Sequence, residues 1–143
     1  MPQAVTGGCL CGAVRYRAEG EPINSRVCHC RLCQKAVGAP FNARILYRRE
    51  DVALEGRYAT AHSSPDLLRG FCPACGTSVF TQRPSAGTTS VTAGSLDDPS
   101  VFQPESHIWT VRSSPGWRSP TACHNTRKCR RPDRPPDVAE LFL

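Results

Sequence analysis

Hydrophobic and polar positions along this chain alternate over short stretches; they do not recur every three to four residues. "AVRYRA" (13–18) sets Val14 and Tyr16 on one face and Arg15 and Arg17 on the other, the two-residue period of a half-buried strand. "FNARILY" (41–47), "DVALEG" (51–56), "TSVFTQ" (77–82), "TSVTAGSL" (89–96) and "HIWTV" (107–111) are rich in β-branched and aromatic residues and predict further strands. Only Arg31–Val37 reads as helix, and "GAP" at 38–40 stops it. The pattern predicts one mostly-β domain over residues 1–111, with no internal repeat beyond recurring cysteine pairs. At Arg112 the character changes. The stretch 112–140 holds five prolines, clustered arginine and little apolar periodicity, the composition of a disordered tail over 112–143.

Length and composition narrow this picture. A chain of 143 residues suits one domain, small enough to benefit from a metal staple. Its apolar runs fall short of the roughly 20 residues that span a bilayer. The start, "MPQAVTGGCLCG", lacks the charged and apolar regions of a signal peptide. These features predict a cytoplasmic protein, where thiols stay reduced and nine cysteines are better read as metal ligands than as disulfides. The formal charge is +6, but from Arg112 onward seven Lys and Arg face three acids, while residues 1–111 hold eleven against nine. Seven thiolates and two zinc ions would bring that first part near −1. The general electrostatic footprint of a nucleic-acid binder is missing from it.

The cysteines fall into two kinds of group. "CLCG" gives Cys9 and Cys11, and "CPACG" gives Cys72 and Cys75. A tetrahedral zinc site takes four soft ligands, usually as two close pairs on separate turns. Gly76 can take the left-handed conformation such turns often need, and Gly12 stands in the same place after the first pair. Together the pairs make a closed structural site. "VCHCRLC" (27–33) instead offers three cysteines, Cys28, Cys30 and Cys33. Three thiolates leave a zinc position open, as catalytic zinc requires. The resulting −1 complex is suited to taking a fourth sulfur and holding it as thiolate. His29 is the rival fourth ligand. Neighbouring strand residues point to opposite faces, which directs His29 away from Cys28 and Cys30, to a supporting or solvent-facing role.

"GGCLCGAVRY", "CHCRLCQKAVGAPF", "FCPACGTSVF" and "AGSLDDP…HIW", in this order over about residues 5–111, resemble the glutathione-dependent formaldehyde-activating enzyme family, which also includes centromere protein V. The resemblance implies small zinc-stapled β-sheets meeting as a β-tent (Mss4-like). It implies structural zinc at Cys9, Cys11, Cys72 and Cys75, and catalytic zinc at Cys28, Cys30 and Cys33. The implied activity is that of a carbon–sulfur lyase joining glutathione to formaldehyde as S-hydroxymethylglutathione. The expected cofactors are two Zn²⁺ per chain, and the expected partners a small-molecule thiol and an aldehyde, with neither membrane nor nucleic acid. Arg69, Lys35 and Arg44 could pair with the carboxylates of such a thiol, although arginine and lysine at a surface are ordinarily solvated. Two other functions fit the cysteines. A non-catalytic zinc module binding protein or nucleic acid requires a closed second site, and a zinc store or redox switch requires an exposed, labile trio.

The tail carries one more expectation. The family usually continues after "HIW" with a short apolar stretch and Asp-Gly-Leu-Pro, and neither is visible here. Back-translating "GWRSPTACHNTRKCRR" and reading each third base with the next two bases forces some codons. Trp-Arg gives alanine when Arg is CGN, and Cys-His gives proline or serine. With G or C at most free positions the shifted frame reads Val-Ala-Val-Ala-Asp-Gly-Leu-Pro-Gln-Tyr-Ala-Lys-Val-Pro-Pro. On this reading the residues from about Arg112 onward are out of frame and pack poorly against the domain. Cys123, His124 and Cys129 are then not a third metal cluster. The rival is a genuine basic tail that binds an acidic partner.

Overall fold

Strand formation follows apolar alternation only in part of this chain, the strand Val14–Ala18 being the clearest case. The computed structural model describes residues 3–117, with ten strands and one α-helix among them. They divide into two units, Met1–Ser25 with Arg44–Gln103, and Arg26–Ala43 with Pro104–Leu143. The fold is mostly β, as predicted.

The first unit holds an antiparallel sheet of β1 (Val5–Gly8), β2 (Val14–Ala18) and β5 (Val52–Gly56), in the order β1-β2-β5. The β2 alternation sorts as its sequence demands. Val14, Tyr16 and Ala18 are buried, whereas Arg15 pairs with Asp97 and Arg17 with Glu19 at the surface. A second set of antiparallel strands runs β4 (Asn42–Arg48), β9 (Thr88–Thr92), β8 (Ser78–Arg83), β7 (Leu67–Phe71), β6 (Ala59–Ser64). Ile45, Tyr47, Val79, Phe80 and Val91 join Val14 and Tyr16 in one core. Cys9 and Cys72 are part of that core.

The second unit is built differently. β3 (Asn24–Cys28) and β10 (Ser106–Ile108) pair in parallel, with Val27 opposite His107 and Cys28 opposite Ile108. The helix α1 (Arg31–Val37) matches its predicted bounds. The side chain of Cys30 caps its N-terminus, and Gly38 ends it in the left-handed conformation. The buried residues here are Val27, Cys28, His29, Gln34, Asn42 and His107. Most are polar, so this unit buries little apolar surface beyond Val27 and Cys28.

Two predicted strands stop early. "TSVTAGSL" leaves the strand after Thr92, where Ala93–Ser95 form a 3-10 turn closed by a Ser95 Oγ bond to Thr92 O at 2.7 Å. "HIWTV" ends at Ile108 because Trp109 adopts φ 58 and starts a 3-10 turn over Thr110–Arg112. Among the described residues no helix is long and apolar enough to cross a membrane. The expected tail boundary falls inside the described region, since Arg112–Trp117 are described. Cys123, His124, Cys129 and the rest of the tail from residue 118 lie outside it.

Candidate metal centres

The first cluster lies wholly in the first unit. Cys9 and Cys11 sit on the turn between β1 and β2, and Cys72 and Cys75 on the turn between β7 and β8. Both turns close with short backbone bonds, Gly12 N to Cys9 O at 3.1 Å and Gly76 N to Cys72 O at 2.8 Å. Gly12 and Gly76 have φ 80 and 76, the left-handed conformation that favours glycine at this place. The four sulfurs lie within 4.8 Å of one another. Cys9 Sγ is 3.6 Å from Cys11 Sγ, which is 3.7 Å from Cys72 Sγ. A tetrahedron of sulfurs around zinc, with bonds near 2.3 Å, has edges of about 3.8 Å. The donor set and its spacing fit zinc.

Thr77 links the two turns, a role that sequence reasoning missed. Its hydroxyl accepts from Leu10 N at 3.1 Å and lies 3.2 Å from Cys75 Sγ. That hydroxyl, with the Thr77 amide, holds the Cys75 thiol down at about 5. Val14 N also donates to Cys9 Sγ, at 3.2 Å. Such bonds favour thiolates, the form that ligates metal.

The second cluster, Cys28, Cys30 and Cys33, lies wholly in the second unit. Its three sulfurs also fall within 4.8 Å of one another, with Cys28 buried and the other two half-buried. Cys33 N donates to Cys30 Sγ at 3.3 Å. Crowding by the Cys30 and Cys33 thiols, together with burial, pushes the Cys28 thiol strongly up. Three close thiolates repel, and a divalent cation removes that repulsion, so these residues also fit a metal. Among the described residues no His, Asp or Glu joins the three.

His29 takes another direction. Its ring nitrogens are not part of the sulfur cluster, and Nε2 instead meets His107 Nδ1 at 2.9 Å. The ring packs near Phe41, His107 and Trp117, with centroids 6.0, 5.2 and 5.0 Å away. At 1% exposure it is not solvent-facing, which removes one of its two expected roles. Burial, and then His107, lower its pKa to about 4, so the ring is neutral. Gln34 was not foreseen. Its Nε2 donates to His29 O at 2.8 Å and to Arg112 O at 2.9 Å.

The cationic candidates also differ from expectation. Lys35 is exposed, but Arg44 and Arg69 are buried. Arg44 Nη1 donates to Thr81 Oγ1 and Ser90 Oγ, both at 3.3 Å, and Arg69 Nε donates to Ser63 Oγ at 2.9 Å. They are not the solvated surface groups that their residue type suggested.

A mostly-β chain carrying one four-cysteine and one three-cysteine cluster defines a class of small cysteine-rich proteins whose clusters could each hold a metal ion. Residues 4–112 match the glutathione-dependent formaldehyde-activating enzyme family, and the chain belongs to it. A curated relative, "uncharacterized lyase C29B12.13" of Schizosaccharomyces pombe, is 31% identical over 80 residues. That match covers 56% of this chain and 58% of the relative, so the chain spans little more than half of that protein. A crystal structure of a Rhodobacter sphaeroides protein superposes with a TM-score of 0.56 at 22% identity. It covers 69% of this chain and 96% of that one, a likeness of fold.

Proposed function

We propose that this chain is a zinc-dependent carbon–sulfur lyase acting on a thiol–aldehyde adduct, with glutathione and formaldehyde as the first pair to test. The family match and the lyase name of the yeast relative support the class. The observation that carries the site is the ligand count: three thiols converge at Cys28, Cys30 and Cys33, against four in the other cluster. Zinc bound there would supply Lewis acidity and lower the pKa of an added thiol.

The chain's own residues set the rest. Cys28, Cys30 and Cys33 would hold the metal and leave room for a substrate sulfur. In the condensing direction the thiol gives its proton to water, the sulfur forms a bond to the aldehyde carbon, the C=O π pair moves to oxygen, and water returns one proton to that oxygen. Lyase cleavage is the reverse, and capture of formaldehyde as the adduct would serve its detoxification.

The test uses cobalt-substituted protein. Glutathione should perturb the visible spectrum of the three-cysteine site, and S-methylglutathione, which lacks a free thiol, should not. Equal responses to both would mean that the open position does not receive the substrate sulfur.

A further inference from the structure

His29 lies between two candidate ligands, Cys28 and Cys30, and it is fixed at three points. Its amide donates to Ile108 O at 3.0 Å. Its carbonyl accepts from Gln34 Nε2 at 2.8 Å. Its ring Nε2 shares a hydrogen with His107 Nδ1 at 2.9 Å, and the two rings stack at 22°. All four residues belong to the second unit. His29, Gln34 and His107 are buried, at 1%, 5% and 5% exposure.

A residue tied at N–H, C=O and side chain cannot turn without breaking buried bonds. The peptides on either side of it carry Cys28 and Cys30, so holding His29 holds the directions of both thiols. Burying two imidazoles is costly unless they are paired. An apolar pair would fill the same space without that cost. The histidines instead provide a directional bond beside the ligands, as groups behind metal ligands commonly do.

We propose that His29 is a positioning residue for the three-cysteine site, and that His107, through the imidazole–imidazole bond, is the group that aims it. Gln34 holds the same residue from its carbonyl side. His29 acts through Cys28 and Cys30 and is not itself a ligand. The proposal rests on the reading of the trio as a metal site.

Cobalt titration tests it without thiol, aldehyde or turnover. The first equivalent should fill the four-cysteine cluster and the second the trio, each with its own thiolate charge-transfer band. His107→Leu keeps bulk and removes the bond, whereas His107→Asn places an amide nitrogen near the Nδ1 position and restores it. His107→Leu should weaken the second equivalent by about 10- to 100-fold and shift its band, leaving the first unchanged. His107→Asn should return both the affinity and the band toward wild type. The proposal is overturned if His107→Leu binds the second cobalt normally, if His107→Asn is as poor as His107→Leu, or if both equivalents weaken together. Should His107→Leu fail to fold, Gln34→Met decides by the same titration: a weakened second equivalent alone supports the proposal, and an unchanged one overturns it. Dependence on His107 without any response to glutathione would uphold positioning and sink the lyase reading.

Discussion

The two cysteine clusters sit in surroundings of opposite kind. In the first unit Cys9 and Cys72 belong to the same packed core as Val79 and Phe80, and left-handed glycines follow each pair. In the second unit the trio is backed by two histidines and a glutamine joined by hydrogen bonds, with Val27 the only buried aliphatic residue besides the cysteine itself among those described. A metal embedded in an apolar core couples to folding of that whole core. A metal held beside a polar scaffold couples mainly to the aim of its ligands. On the proposed function, ligand count and environment assign the first cluster to stability and the second to chemistry.

The largest expected effect breaks the comparison most directly. Cys72→Ser or Cys9→Ser should unfold the protein, because a structural zinc contributes on the order of 10 kcal/mol to folding in small zinc domains. Cys30→Ser should stay folded and lose activity, since fewer residues depend on the open site. Thermal melts of the purified variants check this. Equal destabilisation by all three would end the division of labour.

A smaller effect sharpens the same contrast through the turns. Gly76 has φ 76 and nothing within 4 Å of where a Cβ would stand, so Gly76→Ala carries backbone strain and no clash. The cost should be about 1–2 kcal/mol. Gly76→Asn should lose less, because asparagine tolerates the left-handed region better. The gap between Cys30 and Cys33 is helical and has no such residue to protect. Denaturant midpoints measure both variants, and equal losses for Ala and Asn would assign the cost to something other than φ.

The contrast also explains what the sequence could convey. β2, β4, β5 and β8 were legible because Val, Ile, Tyr and Phe alternate or cluster in them. β1 ("VTGG") is half glycine, and β6 ("ATAHSS") carries little apolar pattern, lying largely half-buried or exposed. β7 ("LLRGF") buries an arginine and a glycine where a strand pattern wants apolar groups. β3 ("NSRVC") is mostly polar. The cysteines were legible from spacing and count, which are local. Thr77 and His107 were not, because each works on a partner 67 or 78 residues away; Gln34 reaches both the nearby His29 carbonyl and Arg112 O, 78 residues on, and its residue type states neither bond. The nearest signals were their places in "CGT", "CQK" and "HIW", blocks that carried the family resemblance without stating a role.

The smallest expected effect concerns the end of the chain. The family match stops at residue 112, and we propose that residues from about there onward are translated out of frame. A chain ended after Trp117 should then keep its melting temperature and both metal equivalents. Loss of either would make the remaining tail part of the domain and defeat the proposal. Resequencing the coding DNA is the direct check, since a stop codon in the shifted frame within this stretch would end the idea. Trp117 makes the comparison informative. In the present frame its indole packs 4.8 Å from the Phe41 ring and 5.0 Å from His29. The shifted frame replaces Gly116-Trp117 with the first residues of Val-Ala-Val-Ala, so both frames set an apolar group at the same place in the chain. A chain carrying the shifted tail should therefore be at least as stable as the present one. A large loss of stability would show that the indole itself, and with it the present frame, belongs to the fold.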